Sequence, residues 1–175
     1  MWNKITFDTN IFANLKRDTL LNDIKELFEI KDKYNFDYKI VSRSDYEVEQ
    51  ISLKYKKEKE KIKNLFEKIW FIYSDMRWNV SKWNSWEKWW DENNINEKEE
   101  IKSILFWNKN IDYSKNRNDV FDIDIIYTHI KNKRNIFITE NKNDFIDWWK
   151  REKLELKYKI KVLTLKEFFD LYGVN

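Results

Sequence analysis

Apolar residues recur along this chain in short blocks whose period switches between two and roughly four, as expected where strands and helices alternate. In "KITFDTNIF" (Lys4 to Phe12), Ile5 and Phe7 flank β-branched Thr6, which predicts a short strand ending abruptly at Asp8. Next, "TLLNDIKELFEIKDKYN" sets Leu20, Ile24, Leu27 and Phe28 at helical spacing, and "YKIVS" (Tyr38 to Ser42) predicts a second strand. Ser42 or Ser44 can cap a following helix lined by Val48, Ile51 and Tyr55, which continues or restarts through Ile62, Leu65, Phe66 and Ile69. The type of the apolar "IWFIY" (Ile69 to Tyr73) stays open. Beyond the polar "YSKNRND", a helix is expected from near Asp122, carrying Ile126, His129 and Ile130. "NIFIT" (Asn135 to Thr139) predicts a strand, "NDFIDWWKR" a short helix, "KIKVLT" (Lys159 to Thr164) a last strand and "LKEFFDLY" a terminal helix. Strands alternating with helices imply an α/β fold, a three-layer α/β/α sandwich around a mostly parallel sheet.

The stretch from Trp78 to Trp107 breaks this rhythm. It holds six of the ten tryptophans among acids and asparagines, and reads as a Trp-rich helical insertion over 78–110. About thirty residues bury too little to fold alone, so 1–175 is expected to form a single domain containing that insertion. Trp83, Trp86 and Trp90 share one helical face, which favours burial, then a protein interface, then a lid on which bases stack.

Composition narrows the chemistry. The chain has no cysteine and one histidine, His129, which argues against thiolate or multi-histidine zinc sites and against a Ser-His-Asp hydrolase. A single glycine and no proline exclude glycine-rich phosphate loops. Any catalysis must therefore fall to carboxylates, through a hard cation held by oxygen ligands. The absence of cysteine, of a ~20-residue apolar run and of a signal-peptide layout makes the cytoplasm the expected compartment, with no membrane partner. Net charge is only +3, but Lys54 to Lys68 and Lys150 to Lys166 are strongly basic. Such runs can meet phosphates, although each taken alone reads as a solvated face.

Ligands of an open parallel sheet bind beyond the carboxyl ends of its strands, and several acids fall there. Asp8 ends the first strand, Glu47 follows the second, Asp122 and Asp124 begin the helix before the third, and Asp144 comes soon after that strand. Converging carboxylates repel unless a divalent cation offsets their charge.

"ITFDTNIF", "NDVFDIDIIYTHI", "NIFITENKNDF" and "KVLTLKEFF", in that order, resemble the PIN-domain nucleases over the whole chain except the insertion. The resemblance implies the parallel sandwich, Mg²⁺ or Mn²⁺ at a carboxylate cluster, and hydrolysis of RNA phosphodiester bonds to 5′-phosphate and 3′-hydroxyl ends. It also implies RNA, single-stranded or structured, as partner. An antitoxin protein joins it where the nuclease is the toxin of a toxin–antitoxin module, and a homodimer is a further partner expectation. Carried onto this sequence, Asp8, Glu47, Asp122 and Asp144 are the expected catalytic acids. Asp8, Asp122, Asp124 and Asp144 are the metal ligands, and Asn10, Thr139 and Asn141 support them from behind. The second acid stays open among Asp45, Glu47 and Glu49, with Glu47 preferred because Val48 and Ile51 anchor it. The third stays open among Asp119, Asp122 and Asp124, with Asp122 preferred for its alignment with Ile126 and His129. The chain departs from the family where small residues usually follow this acid, since Tyr127, Thr128 and His129 stand there instead.

Each residue also has a plainer role. Asp8 can cap a helix, as can Asp144, and His129 on an apolar face is expected to be packed and hydrogen-bonded rather than a ligand. A PIN-like module without a working metal site, binding nucleic acid or protein, is thus the alternative to an endoribonuclease, and a DNA-acting nuclease would share the chemistry.

Overall fold

The structure, a computed structural model, describes residues 4–13, 18–41, 60, 63–64, 67, 69–72, 95–107, 109–111 and 116–173. Five strands, β1 (Lys4–Phe7), β2 (Asp37–Val41), β3 (Trp70–Ile72), β4 (Ile136–Ile138) and β5 (Lys161–Leu163), form one sheet in the order β3-β2-β1-β4-β5. Every neighbouring pair is parallel, with Phe7 opposite Ile40 on one side and Ile138 on the other. The open "IWFIY" stretch thus supplies an edge strand. The helices are α1 (Thr9–Ala13), α2 (Asp18–Tyr34), α3 (Ile95–Phe106), α4 (Arg117–Lys131), α5 (Trp148–Tyr158) and α6 (Leu165–Tyr172), with a π-helical turn at Lys142–Ile146 before α5. This is an α/β fold. Among the described residues no helix is long and apolar enough to cross a membrane.

Parallel strands are buried on both faces, which is why these strands read as nearly continuous apolar runs. Ile5, Phe7, Tyr38, Ile40, Ile136, Ile138 and Leu163 pack with Leu27 and Ile30 of α2 and Leu165 and Phe168 of α6 in one apolar cluster. Val41, Phe137 and Val162 instead join Ile101 and Leu105 of α3, Val120 and Ile126 of α4 and Leu154 of α5 in a second cluster. Each such side chain taken from water contributes about 1.5–3 kcal/mol, so these two clusters carry most of the fold's stability.

Two expectations need correction. Helix α4 begins at Arg117, not near Asp122, because Val120 and Phe121 are buried and draw the polar "RND" into the first turn. The short helix after β4 is two elements: the π-helical turn, whose Asn141 cap accepts from the Asp144 backbone N–H, and then the 11-residue α5. The predicted helix from Ser42 to Tyr55 and the tryptophans from Trp78 to Trp90 lie outside the described residues. Of the insertion, the structure describes α3.

The bulky residues of α4 are accommodated. Tyr127, Thr128 and His129 are all buried, His129 lying edge-on to Phe137 of β4 with ring centroids 5.5 Å apart. With glycine almost absent, four helix ends or turns among the described residues place Asn35, Trp107, Lys133 and Lys159 in the left-handed region at φ 53°, 43°, 50° and 54°. For residues with a Cβ this costs about 1–2 kcal/mol each.

Candidate functional site

From β1 the chain moves outward to β2 and β3, then crosses back to place β4 on the other side of β1. The topological switch point therefore lies between β1 and β4, where open α/β sheets bind ligands at the strands' carboxyl ends. Asp8 is the residue just past β1 at that crevice, and its backbone N–H continues the sheet by donating to Ile138 O at 2.9 Å.

The Asp8 carboxyl is 4% exposed. Thr139, just past β4, donates its hydroxyl to Asp8 Oδ2 at 2.6 Å. The same Oγ1 accepts from Asn10 Nδ2 at 3.2 Å and from the Asn141 backbone N–H at 3.0 Å. One donor and two acceptor sites are all that a hydroxyl has, so Thr139 is fully committed. Asn10 Oδ1 in turn accepts from the Glu140 N–H at 3.0 Å. Asn141 and Asp144 are bonded twice, Nδ2 to Oδ2 at 2.9 Å and backbone N–H to Oδ1 of Asn141 at 3.2 Å. Asp8, Asn10, Thr139, Asn141 and Asp144 thus form one network across β1, β4 and the π-helical turn.

Burial pushes the Asp8 carboxyl up to about pH 6, against the lowering effect of the Thr139 hydroxyl and of the Asn10 and Thr9 backbone N–H groups. The Asp144 charge raises it further. A divalent cation between two such carboxylates would reverse both raising effects.

The remaining predicted acids fall differently. On α4, Asp122 is half-buried and Asp124 is only 1% exposed, so the more deeply buried acid is the one sequence alignment with Ile126 did not prefer. Among the described residues no three acidic or histidine side chains gather closely enough to hold a metal ion, so Asp122 and Asp124 do not complete a cluster with Asp8 and Asp144. Asp45, Glu47 and Glu49 lie outside the described residues. The donors that do converge are hard oxygen groups of carboxylate and amide, a set that fits Mg²⁺ or Mn²⁺ and not a soft metal. Asp8 also takes the place of a cap for α1, since its carboxyl accepts from the Thr9 and Asn10 backbone N–H groups of that helix's first turn, whereas Asp144 stands inside the π-helical turn, not at its cap.

His129 is fully buried, as expected, but neither ring nitrogen has a hydrogen-bond partner, contrary to expectation. Burial, assisted by the Arg134 charge, pushes its pKa down to about 3, so the ring is neutral.

Two residues escaped the sequence reading. Glu140 links the site to the last helix, its Oε1 accepting from the Leu165 N–H at 2.9 Å. Lys150 donates to Asn143 O at 2.6 Å and places its ammonium 3.9 Å from Asp144 Oδ1. The available signal was position: Glu140 sits in the polar run closing β4, and Lys150 opens the basic run at 150–166. That run is not uniformly a solvated face, since the Lys150 side chain is only 13% exposed. No family model and no curated protein matches the chain.

Proposed function

We propose that this protein is a PIN-type, Mg²⁺- or Mn²⁺-dependent endoribonuclease, with the three-layer α/β/α sandwich of that class and the Trp-rich segment as an insertion in a single domain. The observation that carries the reading is the buried Asp8 carboxyl at the β1/β4 switch point, wired through Thr139 to Asn10, Asn141 and Asp144. These are the residues at which the D-T-N and T-E-N-K-N-D motifs resemble the family.

When bound, the cation would stabilise charge on the phosphate and make a water acidic enough to attack. Asp8 and Asp144 would hold it, with Asp122, Asp124 and Glu47 as further candidates. Thr139 fixes the Asp8 rotamer, Asn141 fixes Asp144, and the buried setting strengthens every charge interaction at the site. No histidine base or protein nucleophile is required. A role as a cytoplasmic toxin restrained by an antitoxin protein, and assembly as a homodimer, belong to the same reading.

A binding module without metal is favoured by one observation: a carboxyl with a pKa near 6 can be accommodated protonated, with no cation at all. One experiment separates the two. A labelled RNA pool is incubated with Mn²⁺ or Mg²⁺ and wild type, Asp8→Asn or Asp122→Asn. Cleavage by wild type that EDTA and Asp8→Asn abolish supports the nuclease, and loss in Asp122→Asn adds that acid to the site. Inactivity of all three on RNA and single-stranded DNA, with no Mn²⁺ binding by calorimetry, overturns it.

A further inference from the structure

Beside Asp144, the end of α3 and the start of α5 gather aromatic rings and lysines on the surface. Trp107 and Trp149 pack edge to face with centroids 6.0 Å apart. Lys153 Nζ stands over both rings, 5.0 Å from Trp107 and 4.9 Å from Trp149. Lys150 Nζ lies 5.9 Å from the Trp149 ring while also 3.9 Å from Asp144 Oδ1, so it joins the patch to the carboxylate network. Trp107 is 62% exposed, and neighbouring Trp148 is 76% exposed.

Trp107 is unusual twice over. A large ring left in water gains little from folding, and its backbone occupies the left-handed region at φ 43°, where a side chain is disfavoured. Local strain of this kind at a position whose ring stays mostly exposed points to a purpose outside the fold.

We propose that Trp107, Trp149, Lys150 and Lys153 form a track for single-stranded nucleic acid, RNA under the reading above on which this inference rests, leading to the Asp8–Asp144 site. The exposed Trp107 ring, with the half-buried Trp149 ring beside it, stacks bases, and the lysine ammonium groups next to the rings meet phosphates, the combination that binds single strands without reading sequence. A protein partner fits less well, because lysine is depleted at the centre of protein interfaces whereas here it stands over both rings. Duplex RNA keeps its bases stacked on each other and offers the rings nothing to hold.

The test uses a dye-labelled 15-nucleotide single-stranded RNA of mixed sequence, titrated by anisotropy in EDTA so that no cleavage intervenes. Trp107→Ala and Trp107→Gly should each weaken binding about tenfold. Trp107→Gly should at the same time melt higher than wild type, since glycine relieves the left-handed backbone. Lys150→Gln/Lys153→Gln should reduce the slope of log affinity against log salt by about 1.4. Equal binding by wild type and both Trp107 variants overturns the track, as does equal binding of a duplex of the same sequence. If wild type cleaves RNA while the Trp107 variants cleave and bind unchanged, the track fails and the nuclease reading stands. If the Trp107 dependence is seen but wild type never cleaves, the track stands and the nuclease reading fails.

Discussion

Thr139 Oγ1 donates to Asp8 Oδ2 at 2.6 Å, joining the ends of two adjacent parallel strands that lie 131 residues apart in sequence. Because the hydroxyl also accepts from Asn10 and Asn141, it aligns the β1 end, the loop after β4 and the π-helical turn that carries Asp144. Thr139→Val keeps the shape but leaves a buried carboxylate and two N–H donors without their partner. Stability should fall by about 2–4 kcal/mol in denaturant titration. The loss also removes the largest of the bonds that lower the Asp8 pKa, so the acid limb of any activity should move above pH 6. Thr139→Ser, which retains the hydroxyl, should recover most of both effects, and failure to do so would show that the methyl group matters more than the network.

Asp8 makes the metal-free protein pH-sensitive in a defined sense. Its folded pKa, about 6, lies above the unfolded value of 3.8, so the folded state holds the proton more tightly. The stabilisation is complete below about pH 4 and is lost as pH rises through 6, by about 3 kcal/mol for a two-unit shift. Asp8→Asn should therefore be more stable than wild type at pH 7.5 in EDTA, and Mn²⁺ should raise the melting temperature of wild type alone. A wild type no less stable than Asp8→Asn at that pH would mean that the carboxyl is not desolvated as described.

Much of this was legible in the sequence because it depends on short-range pattern. The strands around Ile5, Ile40, Phe137 and Val162 are short apolar runs between polar breaks, and Asp8, Thr139 and Asp144 stand at fixed offsets from them. What was not legible depends on three-dimensional register. Asp122 and Asp124 are two positions apart on one helix, and only packing decides that Asp124 is the buried one. The early start of α4 arises because burial of Val120 and Phe121 outweighs the weak helix propensity of Asn118 and Asp119. The Trp107–Trp149 pair joins the turn residue after α3 to a residue of α5, with α4 and β4 between them in sequence, a contact that periodicity within one helix cannot reveal.

His129 gives the opposite pH dependence. Its folded pKa, about 3, lies below the unfolded 6.5, so stability is present above pH 6.5 and is lost as pH falls towards 3. Between pH 4 and 6 this slope and that of Asp8 oppose each other, and wild type should show a flatter profile than either single variant. His129→Leu also removes two ring nitrogens that lack partners, and should gain about 1–2 kcal/mol at pH 7. Thermal melts of wild type, Asp8→Asn and His129→Leu from pH 4 to 7.5 would check this. A wild-type profile as steep as that of Asp8→Asn would contradict the compensation.

Arg134 tests whether the far end of the sheet can be weakened without touching the site. Its Nη1 donates to Asp37 Oδ2 at 2.8 Å and its Nη2 to Ile5 O at 2.8 Å, bracing the starts of β1 and β2 at the edge opposite Asp8. Arg134→Met removes the bonds to Asp37 and to Ile5 O and should cost about 1–3 kcal/mol, with cleavage per folded molecule unchanged. The same substitution removes a positive charge that helps keep His129 neutral, so the His129 pKa should rise from about 3 while burial still holds it below 6.5. As His129 is the chain's single histidine, its ring protons can be followed by NMR without assignment ambiguity. Wild type should show no titration between pH 5 and 8. A midpoint near 6.5 in wild type would place the ring in contact with water and would remove the basis for both histidine predictions.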